Sequence, residues 1–166
     1  PAFGSYAEWE AWVERLVGLG VMEDYTRIWW DVRPHPSLGT VEVRVPDQPT
    51  DVRLSAAFAA LVQALCATAL DGSLPGGSPR VDYVQNRWSA ARFGPRAELI
   101  HPDGGSLRRA SELGVELLER VRPAAERLEG AEVLARLDPA ACEADLQLQS
   151  HSAQDAVADL VARSVA

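Results

Sequence analysis

Residues 26–47 read TRIWWDVRPHPSLGTVEVRVPD, and no other stretch of the 166-residue chain says more about its architecture. Side chains on a β-strand alternate between its two faces, so the pattern predicts strands at residues 26–33 and 40–46. The short connection, rich in Pro and Gly, favours antiparallel pairing of these strands as a hairpin. One face of the hairpin then carries the apolar side chains of Ile28, Trp30, Val32, Val41, Val43 and Val45.

The opposite face of this hairpin gathers four charged residues, namely Asp31, Arg33, Glu42 and Arg44. Two interpretations of this face are open. The first is the solvated face of an antiparallel sheet, on which acidic and basic side chains form weak ion pairs. The second is a binding site for a negatively charged, metal-bound substrate, because carboxylates bind hard cations and guanidiniums bind anions.

Helical patterns surround the hairpin. A capping box at Ser5 and Glu8 predicts a helix that runs to about Val17. The other predicted elements are helices at residues 52–70, 81–93 and 107–121, with a short strand at 97–101. Pro123 is expected to break the last of these helices.

These elements predict an α+β fold in a single domain, residues 1–166. Its antiparallel sheet, the hairpin of residues 26–46, is expected to be packed by helices. The helix of residues 52–70 is apolar on most sides. We therefore expect it to cover the valine side of the hairpin, which is formed by Val41, Val43 and Val45.

The amino-acid composition limits the kinds of ligand and macromolecule that the chain can bind. The net charge is −8, which argues against nucleic acid, because phosphate binding needs a basic surface. All 16 basic residues are arginine, since the chain contains no lysine. A phosphate-loop lysine and a Schiff-base lysine are therefore excluded on this chain. Arginine, backbone amides or a metal ion would have to bind any phosphate.

Cysteine usage and hydropathy indicate a cytoplasmic protein. Cys66 and Cys142 are isolated and lack CxxC spacing, so a disulfide is not expected. No signal peptide is visible, and no apolar run is judged long enough to span a membrane. We expect neither a membrane nor a nucleic acid as a partner.

Three blocks of the chain resemble the carboxylate–amine ligase branch of the glutamate–cysteine ligase family. WWDVRPHPSLGTVEVRVPD, residues 29–47, is similar to that family's WWDxRPxPxxGTxExRxxD segment. NRWSAARFG, residues 86–94, is similar to its NxWxAxRyG segment. Pro1-Ala2-Phe3, followed by Ser5 and Trp9, resembles the stretch before the first block. The resemblance covers about residues 1–130 and corresponds to the C-terminal part of a larger ligase catalytic domain.

This resemblance implies a fold and an activity. The fold is a fragment of a glutamine-synthetase-like catalytic domain. The activity is ATP-dependent amide formation from a carboxylate and an amine through an acyl phosphate, with ATP and Mg²⁺ as cofactors and an amino acid as substrate. The family's glutamate-rich metal-binding strand is not found in this sequence, so the chain alone is expected to be inactive. A homo-oligomer, or association with the missing N-terminal part, is compatible with this expectation.

The resemblance also implies roles for individual residues. Glu42 is expected to bind magnesium, and Arg33 and Arg44 are expected to contact substrate or phosphate anions, with Asp31 orienting an arginine. Asn86 and Arg92 are expected to bind substrate or ATP, whereas Trp88 is expected to pack.

Plainer alternatives stay open for these residues. Glu42 and Asp31 can be simple ion-pair partners of the neighbouring arginines. Arg92 can satisfy carbonyls at a helix end. For the whole chain, the alternative is a non-catalytic fragment or a small-anion-binding module.

Overall fold

A computed structural model of the chain describes residues 3–74 and 77–164, which contain seven α-helices and four short β-strands. The predicted α+β class is confirmed. Contacts divide the chain into two compact units, Pro1–Asp47 and Gln48–Ala166. The prediction of a single domain stays a prediction. Pro1 and Ala2 of the family-like opening, and residues 75–76 of the connection after the second helix, lie outside the described residues.

The first unit opens with helix α1, Tyr6–Gly18, close to the predicted bounds. The hydroxyl of Ser5 accepts a hydrogen bond from the Glu8 amide at 3.2 Å, as a capping box requires. Gly20 adopts a left-handed conformation with φ 71°. The amides of Gly20 and Val21 donate back to carbonyls of the last turn, which ends the helix in a Schellman motif.

The hairpin of the first unit pairs in the predicted antiparallel register. Strand β1, Val32–His35, faces strand β2, Thr40–Val43, and Arg33 lies directly opposite Glu42. Gly39 closes the connection with φ 62°, a conformation that glycine adopts without a steric penalty. The register confirms that Arg33 and Glu42 share one face of the hairpin.

The first strand begins later than the alternation predicts. Tyr25–Arg27 forms a turn of 3₁₀-helix, and the Asp24 carboxylate caps it by accepting from the Thr26 amide at 2.7 Å. The Arg33 guanidinium donates to the carbonyls of Thr26 at 2.6 Å and Ile28 at 3.0 Å. The carbonyls of Thr26 and Ile28 therefore accept from a side chain instead of from the backbone of a neighbouring strand.

Two of the three valines on the valine side of the hairpin are exposed. Val41 is 55% exposed and Val45 is 59% exposed, whereas Val43 is half-buried. The helix of residues 52–70 belongs to the second compact unit, so the prediction that it covers these three valines stays a prediction. On the opposite face, Arg33 is buried against the backbone of the preceding segment.

The second unit begins with helix α2, Val52–Leu70, at the predicted bounds. The Asp51 carboxylate caps it by accepting from the Arg53 amide at 2.8 Å. By length and composition α2 is apolar enough to cross a membrane, with a mean hydropathy of 1.6 over its most apolar stretch. The sequence-based statement that no apolar run is that long is therefore wrong. The core helix of a soluble protein meets the same criterion when it is mostly buried, whereas 17% of this stretch is buried. α2 packs against two other helices of its unit.

Helix α3, Arg80–Phe93, is followed by a second hairpin. Gly94 ends α3 with φ 58° and ψ −138°, a combination that is essentially restricted to glycine. Strand β3, Glu98–Ile100, pairs antiparallel with β4, Leu107–Arg109. The predicted helix at residues 107–121 is therefore wrong in its first turn, because Leu107–Arg109 form a strand.

Helix α4, Ala110–Arg127, also runs past the predicted break at Pro123. Proline inside a helix removes one backbone hydrogen bond and strains the turn before it. Val121, Ala124 and Ala125 on both sides of the proline are almost fully buried. Their burial keeps the helix continuous through the proline.

The core of the second unit lies where α2, α4 and the short helix α5, Ala131–Leu134, meet. Its buried residues are Ala64, Val121, Ala124, Ala125 and Leu134. Alanine dominates this core, and small side chains let the helix backbones approach closely. Two further helices, α6 at Glu143–Leu148 and α7 at Ala153–Ser164, complete the described part of the chain.

Candidate functional site

Glu42 lies between two guanidiniums on the charged face of the first hairpin. Nε of Arg33 donates to Oε2 of Glu42 at 2.6 Å, and Nη2 of Arg44 lies 2.9 Å from Oε1. The pleat explains the grouping. Arg33 lies opposite Glu42, and Arg44 follows two residues later, just past the end of β2. The Glu42 side chain is 32% exposed. Each oxygen of Glu42 makes one of these contacts, and a carboxylate oxygen can accept a second partner.

Arg33 is the buried member of this group, with 5% of its surface exposed. Besides Glu42, its guanidinium donates to the carbonyls of Thr26 and Ile28. A planar guanidinium fixed at several points holds its partner carboxylate in one orientation. This arrangement suits a residue that positions Glu42. The direct anion contact predicted for Arg33 stays a prediction.

Arg44 is the accessible member of the group, with 37% of its side chain exposed. Its Cζ lies 5.3 Å from the ring centroid of Trp29, which is 81% exposed. The Arg44 amide donates to the carbonyl of Asp31 at 2.7 Å, so Asp31 lies opposite Arg44 in the hairpin. The structure therefore brings all four predicted hairpin residues to one face.

The two arginines also set the ionisation of Glu42. A hydrogen bond from Arg44 has the largest effect and lowers the pKa of the Glu42 carboxyl below its ordinary value of 4.5. Partial burial acts in the opposite direction, and the hydrogen bond from Arg33 and the charges of both arginines add to the lowering. Glu42 is therefore ionised at neutral pH. An ionised, partly exposed carboxylate can accept a further cation or donor.

We expect the stability of the first unit to fall in acid. Glu42 has a lower pKa folded than unfolded, so its contribution is complete above about pH 4.5 and is lost as the pH falls through the folded pKa. Asp24, whose pKa is lowered from 3.8 by its bonds to Thr26, acts in the same direction at lower pH. The measurement is the thermal midpoint of the chain against pH. In the Glu42→Gln variant the loss between about pH 5 and pH 3 should be smaller than in the unchanged chain.

Asn86 lies in the second unit and makes a paired contact with the strand β3. Its side-chain amide donates to the Ile100 carbonyl at 2.8 Å, and its side-chain oxygen accepts from the Ile100 amide at 2.7 Å. The side chain of Asn86 thus bonds to the backbone of Ile100 as a neighbouring strand would, and it attaches α3 to β3. This position suits a residue that fixes α3, while its predicted contact with substrate or ATP stays a prediction.

The Asn86→Asp variant tests the attachment of α3. A carboxylate cannot donate to the Ile100 carbonyl, so we expect a loss of about 1–3 kcal/mol in the free energy of unfolding at neutral pH. Gln85→Glu is the matched control, because it changes an exposed amide to an acid on the same helix. Chemical denaturation of both variants measures the difference. Equal stability of the two variants would mean that the paired contact does not hold α3.

Arg92 lies in the last turn of α3 and is exposed. Its Cζ lies 5.5 Å from the ring centroid of Phe93, the residue before Gly94. Trp88 is 59% exposed and meets Phe93 edge to face at 6.0 Å between ring centroids. Trp88 is therefore more exposed than buried, and its ring packs against Phe93.

Sequence reasoning missed Tyr25. Its hydroxyl lies 3.0 Å from Oγ of Ser37 and 3.3 Å from Nδ1 of His35, and these two atoms are 3.2 Å apart. The three side chains fix the connection of the hairpin to the 3₁₀ turn that Arg33 also contacts. No periodic signal links Tyr25 to the strand, because it lies outside the alternating pattern.

A complete metal centre is not formed by the described residues alone. Residues 3–74 and 77–164 contain no group of three or more His, Cys, Asp or Glu side chains placed to hold a metal ion. Any magnesium ion bound at Glu42 would need its other ligands from phosphate, water or residues elsewhere.

The sequence matches known proteins over most of its length. The family model described as glutamate-cysteine ligase family 2 matches residues 1–155. A Rubrobacter xylanophilus protein named "Putative glutamate--cysteine ligase 2-1" is 43% identical over 130 residues, which cover 77% of this chain and 35% of the relative. A second protein from that organism, "Putative glutamate--cysteine ligase 2-3", is 42% identical over 147 residues, covering 89% and 36%.

A relative from Frankia alni, also named "Putative glutamate--cysteine ligase 2-1", is 37% identical over 134 residues, which cover 78% of this chain and 35% of that protein. The chain thus spans about a third of the length of the curated relatives it matches. The matched residues include all three family-like blocks, with the Glu42 group in the second and Asn86 and Arg92 in the third. The chain belongs to glutamate-cysteine ligase family 2.

Proposed function

We propose that this chain is part of an ATP-dependent carboxylate–amine ligase similar to glutamate–cysteine ligases. The observation that carries the proposal is the ionised Glu42 carboxylate, held between Arg33 and Arg44 inside the block that resembles the family. An ion-paired solvated face would not require a buried arginine that donates to the backbone carbonyls of Thr26 and Ile28. A site that must keep a carboxylate in one orientation would require it.

Glu42 fits the role of a single magnesium ligand. It is ionised and partly exposed, and its oxygens can accept a partner beyond the two arginines. Mg²⁺ typically takes one or two carboxylates and completes its shell with phosphate oxygens and water, so one carboxylate from this chain is sufficient. When bound, the ion would neutralise the charge that develops on the transferred phosphoryl group.

Arg33 and Arg44 have different roles in this proposal. Arg33 positions Glu42 from the buried side, and Arg44, which is exposed, contacts an anionic substrate group or a phosphate. Asp31 orients Arg44 across the hairpin. In the second unit, Arg92 is the accessible candidate for a phosphate contact, and Asn86 positions the helix that carries it.

The proposed chemistry proceeds in two steps. An oxygen of the substrate carboxylate attacks the γ-phosphorus of ATP, and ADP leaves with the electrons of the broken P–O bond. The amine then attacks the acyl carbon, loses a proton and displaces inorganic phosphate to give an amide. The protein supplies alignment and charge neutralisation rather than a nucleophile. This agrees with the absence of lysine from the sequence.

A family-length chimaera tests the activity directly. In this chimaera the chain replaces the matched segment of the first Rubrobacter xylanophilus relative. We expect ADP and amide to form in equal amounts from ATP, glutamate and an amino acid such as cysteine, with Mg²⁺ present. ADP release without an amide would instead favour an ATPase, and the absence of both products would favour the non-catalytic alternative.

The 166-residue chain by itself should show no ligase turnover. It spans about a third of its relatives, and the described residues form no complete metal centre. Loss of metal ligands removes the main source of charge stabilisation in phosphoryl transfer. The assay is the same measurement of ADP and amide on the purified chain. Steady amide formation by the chain alone would show that it carries a complete site.

A further inference from the structure

Tyr25 lies at the point where the first hairpin meets the 3₁₀ turn that precedes it. Its hydroxyl lies 3.3 Å from Nδ1 of His35 and 3.0 Å from Oγ of Ser37. Tyr25 also begins the 3₁₀ turn, and the carbonyl of Thr26 in this turn accepts from the guanidinium of Arg33 at 2.6 Å. All of these atoms belong to the first unit, so the contacts do not depend on the position of the second unit.

Strand β1 contacts the 3₁₀ turn at two points on one of its faces. Arg33 and His35 are two residues apart on β1, so the pleat places both side chains on the same face. The guanidinium of Arg33 donates to the carbonyl of Thr26, and the imidazole of His35 contacts the Tyr25 hydroxyl. Two contacts restrict sliding and rotation of the strand on the turn more than one contact does. The position of Arg33 relative to its carbonyl acceptors therefore depends on the Tyr25 hydroxyl.

The Tyr25 hydroxyl has compatible hydrogen-bond partners in this network. Oγ of Ser37 lies 3.2 Å from Nδ1 of His35, so the three polar atoms form a triangle. A hydroxyl both donates and accepts, and a neutral imidazole accepts at one ring nitrogen, so Tyr25 can donate to His35 while it accepts from Ser37. The rings of Tyr25 and His35 also meet edge to face, with 5.4 Å between their centroids. Removal of the hydroxyl alone would keep this ring contact.

We propose that Tyr25 is a positioning residue for Glu42 and acts through Arg33. The Tyr25 hydroxyl fixes β1 on the turn, and Nε of Arg33, which is thereby held in place, donates to Oε2 of Glu42 at 2.6 Å. The segment that resembles the ligase family begins after Tyr25 and leaves the positions of His35 and Ser37 open, so the resemblance assigns no role to this network. The catalytic use of a fixed Glu42 rests on the proposed function, whereas the coupling of Tyr25 to Glu42 does not.

Exchange of the Arg33 Nε proton with water measures the coupling without a ligase assay. The 166-residue chain is labelled with ¹⁵N-arginine, and the NMR signal of this proton is identified by its loss in Arg33→Lys. The bond to Glu42 protects the proton. Tyr25→Phe removes the hydroxyl and keeps the ring, so we expect the proton to exchange at least about tenfold faster, as for a bond that opens more often. Tyr6→Phe is the matched control, because it removes a tyrosine hydroxyl on α1 of the same unit, and it should leave the exchange unchanged.

Variants of His35 carry the same test if Tyr25→Phe does not fold. His35→Asn supplies a side-chain oxygen that can accept from the Tyr25 hydroxyl, whereas the side chain of His35→Leu cannot accept. We expect the Arg33 Nε proton to exchange more slowly in His35→Asn than in His35→Leu. The double variant Tyr25→Phe/His35→Leu should exchange no faster than the faster single variant, because the two residues act through one contact.

The family-length chimaera tests the consequence for the proposed magnesium ligand. Tyr25→Phe should raise the Mg²⁺ concentration at half-maximal turnover by roughly tenfold, the lower end of the usual cost of changing a residue that orients a metal ligand. Tyr6→Phe should leave this concentration unchanged. A purely structural role of Tyr25 would lower the thermal midpoint without changing the Mg²⁺ requirement of the folded enzyme.

Three results would overturn the positioning role of Tyr25. The first is an unchanged exchange of the Arg33 Nε proton in both Tyr25→Phe and His35→Leu. The second is an equal acceleration of this exchange in Tyr6→Phe. The third is an active chimaera in which Tyr25→Phe leaves the Mg²⁺ requirement unchanged. An inactive chimaera together with faster exchange in Tyr25→Phe would refute the ligase proposal and keep the coupling of Tyr25 to Glu42.

Discussion

Replacing Glu42 by glutamine should reduce the turnover of the family-length chimaera by roughly 100- to 1000-fold, the usual cost of removing one charge contact from a preorganised site. Glutamine keeps the volume and the strand position, and its Oε1 still accepts from one guanidinium. It loses the negative charge that a hard cation requires. The second arginine then faces a donor instead of an acceptor, so the orientation of the group is weakened as well.

The effect on folding should be small by comparison. Glu42 is partly exposed, and glutamine still accepts a hydrogen bond from one guanidinium, so only part of the interaction is lost. The control is Glu23→Gln, which removes a carboxylate that pairs with Arg27 on the surface of the same unit. It should leave both turnover and thermal midpoint nearly unchanged. If Glu42→Gln retains normal turnover, or loses it only through unfolding, the carboxylate is structural and the charged face is not the metal site.

Replacing Arg33 by methionine should destabilise the first unit by roughly 2–4 kcal/mol, because partly or fully buried carbonyls lose their donor. Methionine fills much of the same space without a charge, so the loss reflects hydrogen bonding more than a cavity. The carbonyls affected are those of Thr26 and Ile28, with a longer contact at Tyr25. Arg33→Lys should lose less stability than Arg33→Met but should still be less stable than the unchanged chain. An ammonium keeps the charge but cannot reproduce the planar fork of the guanidinium.

Arg27→Met is the matched control for this substitution. Arg27 lies in the same unit, its side chain is 60% exposed, and it pairs with Glu23 on the surface. Its loss should change stability by no more than about 0.5 kcal/mol. Urea unfolding followed by tryptophan fluorescence reports on both variants, since Trp9 is buried in this unit. Similar stability of the two methionine variants would contradict the structural role of Arg33.

Alternation predicted the hairpin register well, because a shift of one residue moves every side chain to the other face. The clustering of the four charged residues on one face follows from period two, whereas the pairing of Arg33 with Glu42 also depends on the length of the connection. The burial of Arg33 does not follow from it. That burial depends on Arg33 contacting carbonyls that precede the strand, and a local pattern contains no sign of this contact.

Helix prediction succeeded where caps and apolar spacing agreed, as in α1 with Ser5 and α2 with Asp51. It failed around α4. Residues 107–109 pair with β3 although their sequence also fits a helix, and Pro123 stays inside the helix because its neighbours are buried. Both errors come from tertiary contacts that outweigh local preference.

Only those residues of the candidate site that lie within the family-like blocks could be predicted from the sequence. The resemblance singled out Asn86 and Arg92 six positions apart, and the structure gives them different surroundings, one bonded to Ile100 and the other exposed. Tyr25, which fixes the hairpin connection together with His35, has no signal in the sequence. A role of this kind is visible only once the chain is folded.

The transfer of oxygen from substrate to phosphate tests the central claim most directly. The family-length chimaera is given ATP, Mg²⁺, cysteine and glutamate labelled with ¹⁸O in its γ-carboxylate, and the released phosphate is analysed by mass spectrometry. An acyl-phosphate pathway predicts one ¹⁸O atom in phosphate for each amide formed, because the carboxylate oxygen that attacks phosphorus leaves with it. Amide formation with unlabelled phosphate, or phosphate release without any amide, would contradict the assignment of this chain to a carboxylate–amine ligase that activates its substrate by phosphorylation.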